Sequence, residues 1–171
     1  MKKFLILSVL LVSCFITANA QKFALIDMEY IMKNIPAYQQ ANDKLNQASQ
    51  KYQSEIEAKT KEAQALYQNY QKVASTLSAA QKTQKEDAIV AKEKENAELK
   101  KKYFGPEGEM YKLRQNLISP LQDRIYETVK VIAEQQGYSL VMDRASAESI
   151  IFASPKIDIS NEVLSRLGYS N

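Results

Sequence analysis

The feature that most constrains this chain is a run of sixty-eight residues, 37 to 104, that contains neither glycine nor proline. The run is rich in alanine, lysine, glutamine and glutamate, which lose little side-chain freedom in a helix and do not compete for backbone hydrogen bonds. A single helix of this length is too long for a compact domain, so the run must project from the rest of the chain or fold back on itself. We therefore expect a shape that holds other molecules rather than one that encloses a small substrate.

A capping pattern marks the point at which the run should fold back. Ser78-Ala79-Ala80-Gln81 has the spacing of a capping box, in which each of the two polar side chains satisfies a backbone amide. A hairpin that starts near Pro36 and bends near Thr76 has arms of about forty residues, or about 60 Å. The returning helix is predicted to break at Gly105-Pro106-Glu107-Gly108 and to kink at Pro120.

The first half of the hairpin carries an apolar stripe at alternating steps of three and four residues, which is typical of a coiled coil. One extra step of four, between Tyr52 and Ile56, should relax the supercoil locally. The stripe is thin, because alanines, tyrosines and Lys59 stand where leucine and isoleucine are usual. We interpret most of it as a packing seam between the two arms.

Three short apolar segments outside the hairpin are predicted to be buried strands: Phe23–Asp27, Ser139–Asp143 and Ser149–Ala153. A short last helix, 161–167, should be capped by Asp158 or Ser160 and end at Gly168. Such a body is too small to bury a generous core, so we expect it to associate. The residues predicted to be buried in this body or its oligomer are Phe23, Leu25, Leu140, Val141, Ile150, Ile151 and Phe152.

The first twenty residues have the pattern of a secretory signal peptide. Lys2 and Lys3 precede an apolar stretch from Phe4 to Ile16, and Ala18-Asn19-Ala20 is a small-residue cleavage pattern. We predict cleavage after Ala20, which leaves a mature exported protein of residues 21–171.

A lipoprotein is the alternative interpretation of the same segment. Leu11-Val12-Ser13-Cys14 matches a lipoprotein cleavage box, which would place a lipid on Cys14. This alternative is less favoured, because Phe15 and Ile16 continue the apolar stretch beyond the cysteine.

The composition of the mature chain argues against nucleic-acid binding and catalysis. Removing Lys2 and Lys3 leaves 21 basic residues against 20 acidic ones, a net charge of +1, so attraction to nucleic acid is not supported. The chain has no histidine, and its one cysteine lies before the cleavage site. Asp27, Glu29 and Asp143 are the only carboxylates we considered, and acids at strand ends more often make structural contacts. We predict that the protein is not an enzyme and has no cofactor or metal.

The bend of the hairpin is the candidate site for binding other proteins. No acidic residue occurs from Ala63 to Lys85, so the lysines there give this end a positive charge. A solvated turn with a few lysines explains the pattern about as well as a binding role does. The candidate client-binding residues are Leu66, Tyr67, Tyr70, Lys72, Val73, Leu77, Lys82 and Lys85.

The order of these segments resembles the OmpH/Skp family of periplasmic chaperones. The resemblance rests on Lys22-Phe23-Ala24-Leu25-Ile26-Asp27, the long hairpin, Gly137-Tyr138-Ser139-Leu140-Val141-Met142-Asp143 and a last helix after Asp158-Ile159-Ser160. Tyr103-Phe104-Gly105-Pro106-Glu107-Gly108 in the returning helix resembles the Bacteroidetes branch. The resemblance implies an α+β fold, in which long antiparallel helical arms hang from a small β body that three chains share. It also implies that the arms enclose unfolded outer-membrane proteins.

The expected function is therefore that of an ATP-independent periplasmic holdase for unfolded β-barrel precursors. The alternative is a structural coiled-coil tether or scaffold of the cell envelope. We expect a single chaperone domain, with a body of residues 21–36 and 137–171 and an arm of residues 37–136. The expected partners are unfolded outer-membrane proteins and two further copies of the chain, with transient contact to the membrane surface as an option. The basic cluster through which family members were proposed to bind lipopolysaccharide has no clear match here.

Overall fold

The structure is a computed structural model that describes residues 21–147 and 149–169. The predicted signal peptide and both candidate cleavage sites lie outside these residues. In chain order the elements are β1 (Lys22–Ile26), α1 (Met28–Lys33), α2 (Pro36–Val73), a 3₁₀ turn (Ala74–Thr76), α3 (Ala79–Phe104), α4 (Glu109–Gln136), β2 (Tyr138–Asp143), a second 3₁₀ turn (Pro155–Ile157) and α5 (Ser160–Arg166). No helix among the described residues is both long enough and apolar enough to cross a membrane.

The described chain divides into two compact units. One unit, called the body here, consists of residues 21–31 and 126–169 without residue 148. The other, called the hairpin, consists of residues 32–125. The predicted α+β class with a long antiparallel helical hairpin is confirmed, because α2 and α3 pair with each other and β1 pairs with β2.

The bend of the hairpin forms where the capping pattern predicts it. Helix α2 begins at Pro36, whose missing N–H costs nothing in a first turn, and runs for 38 residues into the 3₁₀ turn. The backbone N–H of Ser78 donates to Gln81 Oε1 at 2.9 Å, and the N–H of Gln81 donates to Ser78 Oγ at 3.4 Å. Both bonds of the capping box are therefore present, and they start α3 at Ala79.

The predicted break in the returning helix is also confirmed. Helix α3 ends at Phe104, and α4 begins at Glu109. A Cβ on Gly105 would lie 2.3 Å from the carbonyl oxygen of Lys101, and a Cβ on Gly108 would lie 2.8 Å from that of Lys102. The backbone can approach itself so closely only because both positions are glycine.

The body is built on one pair of parallel strands. Phe23 lies opposite Leu140 and Ile26 opposite Asp143. Parallel strands need a long crossover connection, and here the whole hairpin region lies between them in the sequence. Gly137, with φ of +70°, makes the turn from α4 into β2. The buried apolar side chains of this unit are Ala24, Leu25, Ile26, Ile31, Val129, Ile132, Ile159, Val163 and Leu164.

The predicted third strand is wrong for the described chain. Residues 149–153 form no strand, and the side chains of Ile151 and Phe152 are 100% and 85% exposed. The second edge of β1 is occupied instead by the segment around Asp158, which makes a parallel bridge to Leu25. The N–H of Ile159 donates to the carbonyl oxygen of Leu25 at 2.9 Å. That edge is therefore not available to residues 149–153 of the same chain.

The exposure of the predicted core residues follows from this arrangement. Leu25 is buried, and Val141 and Ile150 are half-buried. Phe23 and Leu140, like Ile151 and Phe152, are exposed in the single chain. Because those residues were assigned to the core of the body or its oligomer, their burial between copies stays a prediction.

The last helix agrees with the sequence to within one residue. Helix α5 starts at Ser160, and Gly168, with φ of +85°, follows its end. The predicted cap is wrong, because the N-cap position is occupied by Ile159 and no side chain caps the helix there. Asp158 Oδ1, one residue earlier, accepts a hydrogen bond from the N–H of Ser160 at 2.9 Å. The hydroxyl of Ser160 instead accepts from the N–H of Asp27 at 2.8 Å, which ties α5 to the end of β1.

Candidate functional site

The bent end of the hairpin contains a groove of about 410 Å³, which we call the tip groove. Two leucines and an alanine supply its apolar surface, while three amide side chains and one lysine supply polar groups. An amide side chain both donates and accepts hydrogen bonds, as a peptide backbone does. The lining residues are Leu66, Asn69, Leu77, Gln81, Gln84, Lys85 and Ala88.

The structure brings three of the eight candidate client-binding residues, Leu66, Leu77 and Lys85, together in this groove. Tyr67 lines a second groove, described below. The remaining four are Tyr70, which donates its hydroxyl to Glu86, the half-buried Val73 and Lys82, and the exposed Lys72. The sequence reasoning missed Asn69, Gln84 and Ala88, and it used Gln81 only as a cap. Uncharged residues on a helix surface carry no sequence signal of a groove.

The charge of the tip is little neutralised. Among the described residues, Lys72, Lys82 and Lys85 form no ion pair, and Glu86 is the first acid after the acid-free stretch. The hydrogen bond to Glu86 raises the pKa of Tyr70, because the charged carboxylate favours the protonated phenol. The tip therefore presents lysines beside apolar side chains.

The second groove lies nearer the middle of the hairpin and has a volume of about 380 Å³. We call it the mid-hairpin groove. Ala63 and Ala97 contribute small apolar side chains to it, and Tyr67, which also lines it, is half exposed. The complete lining is Thr60, Ala63, Gln64, Tyr67, Glu93, Asn96, Ala97 and Lys100.

The seam beside this groove is polar. The side-chain Nδ2 of Asn96 donates to Thr60 Oγ1 at 2.8 Å, and the hydroxyl of Thr60 donates to the carbonyl oxygen of Ile56 at 2.9 Å. Asn96 is only 8% exposed. An asparagine at such a position fixes the register of two helices at a cost in stability.

Four charged side chains bridge the arms next to that asparagine. Lys59 lies 3.3 Å from Glu62 and 3.4 Å from Glu95, and Lys92 lies 3.7 Å and 2.8 Å from the same two carboxylates. Hydrogen bonds to Glu62 and Glu95 raise the pKa of Lys59, while those from Lys92 and Lys59 lower the pKa of Glu95. Exposed pairs of this kind contribute little individually, so they orient the arms more than they stabilise them.

An aromatic contact closes the seam toward the break in the helix. The rings of Tyr52 and Tyr103 stack with centroids 4.0 Å apart and an angle of 8° between the planes. The hydroxyl of Tyr103 donates to Glu55, and this bond raises the pKa of Tyr103 to about 12. The extra step predicted between Tyr52 and Ile56 thus coincides with a stacked aromatic pair.

The seam is polar only in its middle stretch, around Thr60 and Asn96, and the other buried side chains of the hairpin are apolar. Further apolar side chains lie outside the seam. Leu66, Tyr67 and Val90 are 40%, 50% and 61% exposed. A regular coiled coil places such side chains in its seam. The hairpin therefore presents apolar side chains to solvent along the stretch that also holds the two grooves.

Two of the three carboxylates considered for catalysis, Asp27 and Asp143, make structural hydrogen bonds. Asp27 accepts from the N–H of Tyr30 at 2.8 Å and from the guanidinium of Arg144 at 3.1 Å. Asp143 accepts from the N–H groups of Met28 and Ala145, both at 3.0 Å. Within the described residues, no three acidic, histidine or cysteine side chains cluster as a metal site would require.

Comparison with known proteins gives relatives over nearly the full length. The chain is 24% identical over 151 residues to a "Chaperone protein Skp" from Yersinia enterocolitica, a match that covers 88% of each chain. It is 24% identical over 148 residues to the protein of the same name from Photorhabdus laumondii, which covers 86% of each.

A solved structure shares the fold. It is the crystal structure of a protein from Caulobacter crescentus described as a candidate outer membrane chaperone (OmpH-like), with a TM-score of 0.65 and 14% identity. The match covers 88% of this chain and 86% of that one. The model of the family "Outer membrane protein (OmpH-like)" matches residues 22–167, which is most of the sequence. The chain belongs to the OmpH-like outer membrane protein family.

Proposed function

We propose that this protein is a periplasmic holdase chaperone, which binds unfolded outer-membrane β-barrel precursors and keeps them from aggregating without using ATP. One observation carries the proposal: the hairpin has a polar stretch in the middle of its seam and leaves Leu66, Tyr67 and Val90 exposed outside the seam. A protein that only tethered two points would gain stability by placing those side chains in the seam. Their exposure is useful if they contact another chain.

The relatives named chaperone protein Skp support this proposal, as does the charge of the tip. Unfolded precursors expose apolar residues in alternation and are often acidic. Lysines at the tip would speed their encounter, and apolar side chains would slow their escape. Many weak contacts of this kind suit a client that has no fixed surface.

We propose further that the working form is a homotrimer assembled through the body. Phe23, Leu140, Met142, Ile151 and Phe152 leave an exposed apolar surface on this unit. The body has little core of its own, and within the described residues no disulfide or metal compensates. Burial of this surface between copies would supply the missing core. The mature chain is proposed to reach the periplasm after cleavage behind Ala20.

Two tip variants test the binding role in an aggregation assay with a denatured β-barrel protein. Changing Lys72, Lys82 and Lys85 to glutamate should slow capture and abolish its original salt dependence, since exposed charges act mainly on association. Changing the apolar set to serine should instead raise the dissociation rate, with Leu77 kept to preserve the turn. That set is Leu66, Tyr67, Tyr70 and Val73. If both variants protect the client as well as the parent does, the tip is only a solvated turn.

A further inference from the structure

The side-chain oxygen of Asn96 is an unsatisfied polar atom in the middle of the hairpin. It is buried and has no hydrogen-bond partner among the described residues. The amide nitrogen of Asn96 donates to Thr60 Oγ1, and the hydroxyl of Thr60 donates to the carbonyl oxygen of Ile56. Turning the amide over would only exchange an unpaired acceptor for an unpaired donor. The described part of the chain therefore supplies no donor for this oxygen, and buried acceptors are rarely left unpaired.

Asn96 lines the mid-hairpin groove, whose lining residues suit an extended polypeptide. Two of its lining residues, Ala63 and Ala97, have small side chains, so a chain can approach the helix backbones closely there. Tyr67 offers an apolar ring in the wall, and Glu93 and Lys100 place opposite charges among the lining residues. Such mixed walls match the alternating polar and apolar side chains of a β-strand sequence.

We propose that the mid-hairpin groove binds an extended segment of unfolded polypeptide, one backbone N–H of which donates to Asn96 Oδ1. In an extended chain, N–H groups that point to the same side recur about every 7 Å, so a donor is in reach whatever the sequence. An acyl chain has no such donor. Because Oδ1 is covered in the free chain, the side chains that cover it must move aside before the bond forms.

This inference rests on the proposed holdase function and names a second place where the client would be held. The two grooves would recognise different features of the client. The tip groove would attract acidic clients through its lysines. The mid-hairpin groove would instead bind the peptide backbone, through a hydrogen bond from a backbone N–H to Asn96 Oδ1. Helical periodicity places Tyr67 and Ala97 on the flank of the seam opposite to Leu66 and Ala88 of the tip groove.

The first test is photo-crosslinking with benzoylphenylalanine at Ala97, compared with the same probe at Ala91. Both alanines are exposed on α3, but only Ala97 lines the groove. With a denatured β-barrel protein as client, Ala97 should crosslink several times more than Ala91. Equal yields, from a parent protein that still suppresses aggregation, would overturn the inference and leave the holdase function standing. A parent that captures no client would overturn both.

The second test measures whether Asn96 recognises the backbone. The probe is a labelled peptide of about ten alternating valines and serines, compared with a copy N-methylated at every second residue to remove backbone donors. The parent should bind the unmodified peptide about fivefold more tightly than the methylated one, as one net hydrogen bond would give. In Asn96→Leu this preference should disappear.

Thr60→Val is the matched control for that variant. It removes the same Thr60–Asn96 hydrogen bond but keeps the asparagine oxygen, so it should retain the preference of the parent. An equal preference in the parent and in Asn96→Leu, with both hairpins helical by circular dichroism, would overturn the inference. If Asn96→Leu fails to fold, the crosslinking comparison of Ala97 with Ala91 decides.

Discussion

Arg144 should be the main electrostatic link within the body, and its removal gives a measurable local effect. Its Nε and Nη2 both donate to Asp27 Oδ2 at 3.1 Å, and its Nη1 lies 3.4 Å from Asp158 Oδ2. Asp27 follows β1, and Asp158 precedes α5. Arg144→Ala would therefore release three segments at once and leave two carboxylates without their cation.

The magnitude follows from the exposure of the partners. Both aspartate side chains are 20% exposed and that of Arg144 is 50% exposed, so solvent screens the interaction only in part. Charge-assisted hydrogen bonds made by two nitrogens contribute more than an ordinary surface pair. We expect Arg144→Ala to lower the local free energy of opening by about 2 kcal/mol. Arg144→Lys keeps the charge but cannot donate from two nitrogens at once. It should lower the local free energy of opening by about half as much.

Amide hydrogen exchange reports this local opening directly. The amide of Ile159, bonded to the carbonyl oxygen of Leu25, should exchange about thirtyfold faster in Arg144→Ala. Amides in the middle of α2 and α3 serve as internal controls and should not change. The difference between parent and variant should shrink in high salt. An increase of less than about threefold at Ile159 would refute the assignment of Arg144 as the link.

Three further predictions follow from the hairpin and the body. Ser78→Ala removes the hydroxyl of the capping box and should destabilise the start of α3 by about 1 kcal/mol, seen as faster amide exchange at Gln81 with the middle of α3 unchanged. Because the pKa of Tyr103 is raised from 10.0 to about 12, its contribution to stability is complete below pH 10 and is lost as the pH rises through 12. The free energy of unfolding measured in urea should fall over that pH range for the parent relative to Tyr103→Phe. The same dependence on pH in both proteins would contradict the role of Glu55. Sedimentation equilibrium should give three chains for the mature protein, still three after deletion of residues 63–85, and fewer for Leu140→Asp. Since Leu140 is 47% exposed in a single chain, a large effect there requires burial between copies.

Local signals in the sequence were enough to place the elements of the hairpin. The capping box at Ser78, the glycines at 105 and 108 and the glycine after α5 each act within a few residues, so their effects can be recognised without the fold. The strands were likewise predicted, as the apolar segments Phe23–Asp27 and Ser139–Asp143, and the structure places them at Lys22–Ile26 and Tyr138–Asp143.

Long-range choices could not be predicted in the same way. Residues 149–153 have the composition of a strand, but a strand needs a free edge, and the segment around Asp158 occupies the second edge of β1. The mid-hairpin groove was missed for a similar reason. Asn96 and Ala97 lie in a charged stretch, and nothing local marks Asn96 as buried opposite Thr60. Only the register of α2 against α3 brings those residues together.

Light scattering during dilution of a denatured β-barrel protein tests the central claim most directly. The purified mature chain, added in excess and without nucleotide, should suppress the rise in scattering and keep the client in a soluble complex. The same assay with the hairpin shortened by residues 63–85 provides the control, because it removes the exposed Leu66 and Tyr67 and most of the tip groove. Undiminished scattering in the presence of the mature chain would contradict the account.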